Sequence, residues 1–477
     1  MASMASNGEA AFASNYLVLD PKDATAFDLL RFLLSSRADN RRFIFAPRGT
    51  RLPFPKRVVI VGSVVLQLIL FMLAGPLALL GYALEQWLNL LHVNGGFMGL
   101  IFRILRGRRP VQAPDRDSPK FLSLIGLSDN REELDASIPI DDTRYNSALA
   151  IMAAKVVYEN PAHIEDVVSK IWKMEFMGFY DFWNAFQRKP TTQAMLFRQN
   201  KDSDSELICV AFRGTEPFAA EDWITDIDLS YFELPKVGRA HSGFMEALGL
   251  QRGSGWPKDL PQSTRQYAYY TIREILKDAL KNNPKARFIV TGHSLGGALA
   301  ILFPSILAYH EEKDLLDRLD GVYTFGQPRV ADSRFGAFVE QNLEGSTRKY
   351  FRIVYCNDLV PRVPWDNSWS DFQHFGKCIY FNSLYRGDIV DEVPNKNYFS
   401  IFMFIPKKMI SAWELIRGFG MGMFMGPEYK ELKVMRAVRL MGLFGLAGLP
   451  AHAPLDYVNS TRFASPNLYT SKPWLGQ

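Results

Sequence analysis

The feature that most constrains the fold is a short glycine-rich motif between two apolar segments. Residues 291–297 read Thr-Gly-His-Ser-Leu-Gly-Gly, and they follow the apolar run 288–290 and precede the apolar run 298–303. The pattern predicts a strand, a sharp turn that carries Ser294, and a helix, because the glycines leave room for a strained bend. The first backbone N–H groups of such a helix point to the place where an oxyanion would form. The motif therefore predicts a nucleophilic serine.

Length, charge and cysteine content narrow the classes of protein that fit this chain. Its 477 residues are enough for a large core and more than one module. The net charge of +5 has no concentrated basic block, which argues against a nucleic-acid partner. The three cysteines suit neither a disulfide framework nor a zinc site, so we expect buried thiols in a reducing compartment. No metal or organic cofactor is implied.

A long uncharged stretch lies near the start of the chain. Residues 58–84 contain no charged side chain, and as a helix they would be about 40 Å long, more than the hydrocarbon core of a bilayer. A polar region of over fifty residues precedes the stretch, so we do not expect a cleavable signal peptide. Basic residues, which favour the cytosolic side, flank it on both sides at Arg51, Lys56, Arg57, Arg103, Arg106, Arg108 and Arg109.

Two arrangements of this stretch are consistent with its sequence. Proline interrupts helical hydrogen bonding, so Pro76 inside the run favours a hairpin that bends there. A single membrane helix is the alternative. A hairpin that does not cross suits a lipid droplet, because the oil core offers no second aqueous side. We therefore expect residues 58–102 to form a hydrophobic anchor, hairpin or membrane helix, on a lipid droplet (oil body), with the catalytic domain facing the cytosol.

Composition divides the remainder of the chain. Residues 1–57 are polar, and residues 103–139 are basic and polar and are predicted to be a linker. Residues 140–477 alternate strand-like and helix-like segments, which predicts an α/β domain. An insertion at about 380–450 combines methionine and phenylalanine with lysine and arginine. This composition suits a membrane-surface segment or a wall for acyl chains, and an ordinary capping subdomain is the alternative.

Local patterns predict several elements of this α/β domain. Helices are expected at 147–158 and, with clear amphipathic spacing, at 264–281. Strands are expected at 207–212, 321–325 and 350–355.

The base that would activate Ser294 must be found among the histidines. A serine hydroxyl needs a base to take its proton, and the base needs an acid to orient it. In enzymes with this type of turn the chain order is serine, acid, histidine. His310 follows Ser294 too closely, at the end of the same helix, so His374 and His452 are the two candidates.

The acid and the oxyanion donors are predicted from strand ends. Asp358 follows the strand 350–355, where catalytic residues of α/β sheets gather, and Asp366 and Asp371 are weaker options. One oxyanion donor is the backbone N–H of Leu295. The second is expected after the strand 207–212, at Thr215, which offers a backbone N–H and a hydroxyl.

Five motifs, in this order, resemble the fungal-type class 3 triacylglycerol lipase family. They occupy 212–215 (with 222–223 shortly after), 241–244, 291–297, 323–330 and 357–361. The apolar N-terminal region and the ending 452–459 resemble plant oil-body lipases more narrowly. The resemblance implies an α/β-hydrolase fold and hydrolysis of acylglycerol esters. It assigns Ser294 as the nucleophile, Asp358 as the residue that orients the base, and Thr215 with Leu295 as the oxyanion hole.

The resemblance also separates the two histidines and adds a lid. The family has an earlier, non-catalytic histidine, matching His374, and a later one before an aromatic residue, matching His452. In such lipases the segment after the oxyanion residue forms a lid, here residues 216–229, with Phe218, Trp223 and Ile224 as its apolar contacts. We call residues 216–229 the lid segment. Its opening at an oil surface would expose the site, and a plain surface helix is the alternative.

The sequence therefore predicts a serine lipase that hydrolyses triacylglycerol on lipid droplets through an acyl-enzyme. A phospholipase A1 or galactolipase on membranes is a second possibility, because the same triad serves all these esters. A non-enzymatic lipid-droplet scaffold is a third, and a missing triad member would favour it.

Overall fold

The computed structural model describes residues 13, 15–39, 41–106, 110–251, 255–260, 265–343, 349–364, 372–394, 398–426 and 428–470. Two weaker candidates for the acid, Asp366 and Asp371, lie outside these residues. The strands are β1 (Asn15–Leu19), β2 (Ile44–Phe45), β3 (Glu175–Asn184), β4 (Lys189–Gln199), β5 (Leu207–Phe212), β6 (Tyr231–Leu234), β7 (Gly238–His241), β8 (Arg287–His293), β9 (Leu319–Phe325), β10 (Tyr350–Tyr355), β11 (Cys378–Phe381) and β12 (Gly387–Val390).

The helices alternate with these strands through the second half of the chain. They are α1 (Ala26–Leu34), α2 (Phe54–Val93), α3 (Gly96–Arg106), α4 (Leu124–Ser128), α5 (Tyr145–Val156), α6 (Pro161–Asp166), α7 (Ala220–Ile227), α8 (Ser242–Leu248), α9 (Ala268–Leu280), α10 (Leu295–Tyr309), α11 (Lys313–Leu316), α12 (Ser333–Leu343), α13 (Phe404–Met425), α14 (Lys433–Phe444) and α15 (Pro454–Phe463). A short 3-10 helix, Pro450–His452, precedes α15.

The main sheet has eight strands in the order β12-β11-β10-β9-β8-β5-β4-β3. Strands β5, β8, β9, β10 and β11 run parallel. Strands β3 and β4 join antiparallel at one edge, and β12 joins antiparallel at the other. This is the arrangement of an α/β-hydrolase domain, and it confirms the predicted α/β fold class.

Helices cover both faces of this sheet, so its central strands are buried on both sides. Neighbouring residues point to opposite faces: Val290 packs in one core cluster and Ile289 in the other. Strands buried in this way consist mostly of apolar residues, which is why the predicted strands 207–212 and 350–355 match β5 and β10.

The N-terminal region is part of the folded domain rather than a separate polar region. β1 pairs antiparallel with β6 in a second sheet of order β2-β1-β6-β7. The backbone N–H of Leu19 donates to the hydroxyl of Ser230 at 2.9 Å. The predicted boundary at residue 57 therefore does not separate two units, because β1 pairs with β6, which lies more than 200 residues further along the chain.

The apolar stretch forms one helix, and the predicted bend at Pro76 is wrong. Helix α2 runs from Phe54 to Val93 with Pro76 inside it, and the chain turns only at Gly95 and Gly96, before α3. Proline costs a helix one hydrogen bond, but its fixed φ is helical, and the preceding Gly75 has no side chain to clash with the ring. In the described part of the chain, α2 alone is long and apolar enough to cross a membrane, by length and composition.

The predicted linker also packs against the domain. Asp129 and Arg131 form a buried ion pair at 2.6 Å, and Arg131 donates to Asn459 of α15 at 2.6 Å. Burial opposes ionisation of Asp129, but Lys155 and Arg131 lower its pKa to about 2. Residues 110–139 are thus not a free spacer, because their charged side chains are neutralised inside the fold.

The insertion contributes β12, α13 and α14. The two helices pack against each other and carry exposed Met423, Phe424 and Phe444. On its inner side, Arg439 of α14 pairs with Asp456 of α15 at 2.9 Å. The insertion is therefore fixed to the helix that directly follows His452.

Candidate active site

Ser294 lies at the sharp turn between β8 and α10. Its backbone has φ 59° and ψ −132°, a conformation that a non-glycine residue adopts only under strain. A side chain at Gly292 would clash with the backbone of Gly296, and one at Gly296 would clash with the backbone of Phe212, so both positions need glycine. The backbone N–H of Ser294 donates to Phe325 of the neighbouring strand at 2.9 Å and holds the turn in place.

His452 lies between Ser294 and Asp358. Its Nε2 is 2.7 Å from the Ser294 hydroxyl, and its Nδ1 is 2.8 Å from Oδ2 of Asp358. Because a carboxylate accepts hydrogen bonds, Nδ1 carries the proton and Nε2 accepts from the serine. The three side chains come from a strand-to-helix turn, from the loop after β10 and from the 3-10 helix before α15. All three are buried, and Ser294 is only 2% exposed.

Three donors fix the Asp358 carboxylate. Oδ1 accepts from the backbone N–H of Val360 at 2.9 Å, and Oδ2 accepts from His452 and also, in a close contact, from the hydroxyl of Tyr457. The carboxylate is thereby held in the orientation that presents Oδ2 to the imidazole. Sequence reasoning did not single out Tyr457, although it lies within the motif 452–459.

His293, next to the nucleophile, supports the backbone of His452. Its Nε2 donates to the His452 carbonyl at 2.7 Å, and its Nδ1 accepts from the hydroxyl of Tyr158 at 3.0 Å. Burial, and then the neighbouring His452, lower the pKa of His293 well below its usual value, so it stays neutral. Chain order excludes His293 as the base, but its place beside Ser294 in the turn motif could have indicated this supporting role.

The loop predicted to carry an oxyanion donor approaches the nucleophile closely. A Cβ added to Gly214 would lie 3.2 Å from Cβ of Ser294 and would clash with Tyr158 and His293. Thr215 is buried beside this glycine. Leu295 is the first residue of α10, so its N–H belongs to the helix N-terminal groups that have no partner within the helix.

Thr215 also contacts the lid segment. Its hydroxyl lies 3.3 Å from Oδ2 of Asp226, which belongs to α7. Burial, reinforced by the charge of Asp222, raises the pKa of Asp226 to about 8. The Asp226 carboxyl is therefore largely protonated at neutral pH while α7 occupies this position.

The lid segment packs over His452. The Trp223 ring centroid lies 6.3 Å from that of His452, and Ile224 is buried. Phe218 packs on Gly81 of α2. A cleft of about 500 Å³ lies between the lid segment, the oxyanion loop and α2, and its lining includes Leu295, Leu299, Ala74 and Ala78.

The other candidate base lies elsewhere. Nε2 of His374 donates to the carbonyl of Pro361 at 2.6 Å. Burial, and then the charge of Arg352, lower the pKa of His374 well below its usual value. His374 thus braces the loop that follows Asp358. In the described residues no group of three or more His, Cys, Asp or Glu side chains could hold a metal ion.

The chain is similar to known lipases over most of its length. The class 3 lipase family model matches residues 209–368. Triacylglycerol lipase OBL1 of Nicotiana tabacum is 41% identical, over 87% of this chain and 84% of the relative. The proteins of the same name from Arabidopsis thaliana and Ricinus communis are 38% and 36% identical, over 95% and 94% of this chain and 96% and 95% of the relatives. The predicted family is therefore confirmed: this chain belongs to the class 3 lipases and is a hydrolase with the α/β-hydrolase fold.

Proposed function

We propose that this chain is a triacylglycerol lipase in which Ser294, His452 and Asp358 form the catalytic triad. The observation that carries the proposal is the position of His452, hydrogen-bonded to Ser294 on one side and to Asp358 on the other. The relatives named triacylglycerol lipase support the substrate class, since they match almost the whole chain.

The reaction proceeds through an acyl-enzyme. Nε2 of His452 takes the hydroxyl proton as Oγ of Ser294 attacks the ester carbonyl, and Asp358 stabilises the imidazolium that forms. The N–H of Leu295 and the donors of Thr215 stabilise the oxyanion. When the intermediate collapses, the glycerol oxygen leaves and takes the proton from His452. Water then gives its proton to His452, attacks the acyl-enzyme and releases the fatty acid, and Ser294 regains its proton.

The proposed site of action is the surface of a lipid droplet, with the catalytic domain on the cytosolic side. The outer face of α2 exposes Met72 and Leu79, and the insertion exposes Met423, Phe424 and Phe444. Exposed apolar side chains suit a lipid surface, and in α13 and α14 they are accompanied by lysine and arginine. Basic residues before and at the start of α2, and at the end of α3, support cytosolic placement of both ends of this apolar region.

Replacement of the nucleophile tests the triad. Ser294→Ala should lower the hydrolysis of emulsified triolein by at least about 10⁴-fold, because the remaining groups cannot form the acyl-enzyme. Ser305→Ala is the matched control, since Ser305 lies on the same helix and its hydroxyl bonds only the Ile301 carbonyl among the contacts described. Both variants should keep the melting temperature of the wild type and float with oil droplets. Turnover by Ser294→Ala near the wild-type rate would reject the triad.

A substrate panel tests the ester class. Initial rates on emulsified triolein, phosphatidylcholine vesicles and galactolipid vesicles should be highest on triolein. Faster hydrolysis of either membrane lipid would replace the proposed substrate with that lipid while leaving the triad intact.

A further inference from the structure

The lid segment is attached to the apolar helix α2 at two separate points. Near its start, Phe218 packs on Gly81: a Cβ added to this glycine would lie 2.7 Å from the Cβ of Phe218. At its end, the carbonyl of Ile227 accepts a hydrogen bond from Ser63 of α2 at 2.8 Å. Helix α7 lies between these two points. We call the Phe218–Gly81 and Ile227–Ser63 contacts the latch.

Helix α2 presents polar, small and some apolar residues to the protein, and mainly apolar residues outward. Ser63, Gln67 and Asn89 are buried, and Nε2 of Gln67 donates to the Ser63 hydroxyl at 3.0 Å. Met72 and Leu79 are 77% and 69% exposed. A surface helix in a water-soluble protein turns polar residues outward, whereas the outer face of α2 is apolar. Entry of the outer face into lipid therefore lowers the free energy of the protein. The inner face holds the latch.

The latched position of the lid segment is closed. Trp223 lies over His452, Asp226 bonds Thr215, and Ser294 is almost fully buried. A bulky ester cannot reach the Ser294 hydroxyl unless α7 moves. Because both ends of α7 are attached to α2, any such movement has to break or shift the latch.

We propose that α2 couples lipid attachment to opening of the site: the latch holds the lid segment closed in water, and entry of the outer face of α2 into a lipid surface releases it. This inference rests on the proposed lipase function for its activity readout. The physical reason is that the closed state is stabilised by contacts that depend on where α2 lies against the domain. If a lipid surface binds the protein more tightly when α2 has shifted away from the latched position, it favours the open state. The shift in the equilibrium equals the ratio of the lipid affinities of the open and closed states.

Two substitutions that weaken the latch test the coupling. Gly81→Ala places a methyl group against Phe218, and Ser63→Ala removes the donor to Ile227. Gly62→Ala is the matched control, since a Cβ at this exposed position of the same helix meets nothing within 4 Å. The substrate is a soluble short-chain ester, p-nitrophenyl butyrate below its solubility limit, without lipid. We expect both latch variants to hydrolyse it roughly fivefold faster than wild type, which corresponds to about 1 kcal/mol. Gly62→Ala should stay at the wild-type rate.

Hydrogen exchange of the lid segment gives a second readout that needs no activity. In wild type, the amides of 220–227 should exchange faster when phosphatidylcholine-coated triolein droplets are added. In Gly81→Ala and Ser63→Ala they should already exchange faster in water, whereas amides of β8 and β9 stay protected in all variants. Protection of β8 and β9 shows that the variants are folded.

The two readouts separate the possible failures. If the wild type hydrolyses neither triolein nor p-nitrophenyl butyrate, the proposed function fails. Hydrogen exchange of the lid segment then decides alone whether α2 and the lid segment are coupled. If the wild type is active but the latch variants match Gly62→Ala in both rate and exchange, the lid segment moves independently of α2 and the coupling is rejected.

Discussion

At the scale of single residues, Asp226 links the chemistry of the site to the position of the lid segment. It belongs to α7, bonds Thr215 and has a pKa raised to about 8 by burial and by Asp222. Asp228, at the end of α7, is also buried, and burial raises its pKa to about 7. Both carboxyls hold protons in the closed state that they would release in water at neutral pH.

This proton release gives opening a pH dependence. The ordinary pKa of Asp226 is 3.8, so between about pH 4 and pH 8 opening exposes the carboxyl and releases one proton. Rising pH therefore favours the open state, by up to about tenfold per pH unit for each proton released, and the effect of Asp226 ends above about pH 8. The side chain in Asp226→Asn cannot titrate. Opening of this variant should therefore release one proton fewer, and its opening equilibrium should depend less steeply on pH.

The measurement is the pH profile of p-nitrophenyl butyrate hydrolysis without lipid, from pH 5 to pH 9. Wild type should rise more steeply than Asp226→Asn below about pH 8, and the two profiles should run parallel above it. Any other group that titrates in this range contributes to both profiles, so the difference between them reports Asp226. Parallel profiles over the whole range would show that Asp226 does not change its surroundings when the site opens.

At the scale of elements, one buried arginine fixes the insertion to the catalytic part of the domain. Arg439 of α14 pairs with Glu414 of α13 at 3.3 Å, with Glu431 at 3.0 Å and with Asp456 of α15 at 2.9 Å. Helix α15 begins directly after the 3-10 helix that carries His452. The cluster therefore connects the exposed apolar helices α13 and α14 to the position of the base.

Removal of this arginine should be costly. Arg439→Met leaves three buried carboxyls without their shared partner, which typically lowers the free energy of unfolding by about 3–5 kcal/mol. Lys285→Met, which removes an exposed pair with Asp204, should change it by less than about 1 kcal/mol. Urea unfolding midpoints compare the two variants with wild type. A loss below about 1 kcal/mol for Arg439→Met would mean that the carboxyls are protonated or rearranged without it.

Local sequence patterns predicted the elements whose structure is determined by their own residues. Strands β5 and β10 are apolar runs buried on both faces, and the turn at Ser294 needs glycines at fixed positions. The sequence favoured a bend at Pro76 over the alternative of a single helix, but α2 continues through Pro76, because one lost hydrogen bond is a small cost within so long a helix.

Contacts between residues far apart in the chain could not be predicted from local sequence patterns. The Leu19–Ser230 bond joins residues 211 positions apart, and the packing of Phe218 on Gly81 depends on where α2 lies in the fold. His293 and Tyr457 lie in motifs that were recognised, but their hydrogen bonds to His452 and Asp358 follow from the convergence of distant segments.

At the scale of the whole molecule, the apolar helix is built into the lipase domain at both of its ends. Before it, β1 pairs with β6, directly after the lid segment. Near its C-terminal end, the side chain of Asn89 exchanges two hydrogen bonds with the backbone of Leu122, at 2.8 and 2.9 Å, and Glu85 pairs with Arg116 at 2.9 Å. Helix α2 is thus both the proposed lipid anchor and a structural part of the domain.

Substitutions on the outer face of α2 should therefore weaken lipid attachment without lowering stability. Substitutions on its inner face should lower stability as well. Met72→Lys with Leu79→Lys should lower flotation with triolein droplets more than tenfold, because each apolar side chain loses about 1.5–3 kcal/mol of burial in lipid. The melting temperature should stay within a few degrees. Ile140→Lys, at another exposed apolar position, is the control and should float like wild type.

Deletion of residues 58–102 should affect both properties. It removes Ile60 and Val64, which are buried in the N-terminal core cluster, as well as the latch. At about 2–4 °C per kcal/mol for a domain of this size, loss of these contacts should lower the melting temperature by roughly 10 °C or more, in addition to abolishing flotation. A deletion variant that no longer floats but has the melting temperature of the wild type would show that α2 is a detachable anchor. The lid segment would then not need α2 to stay closed.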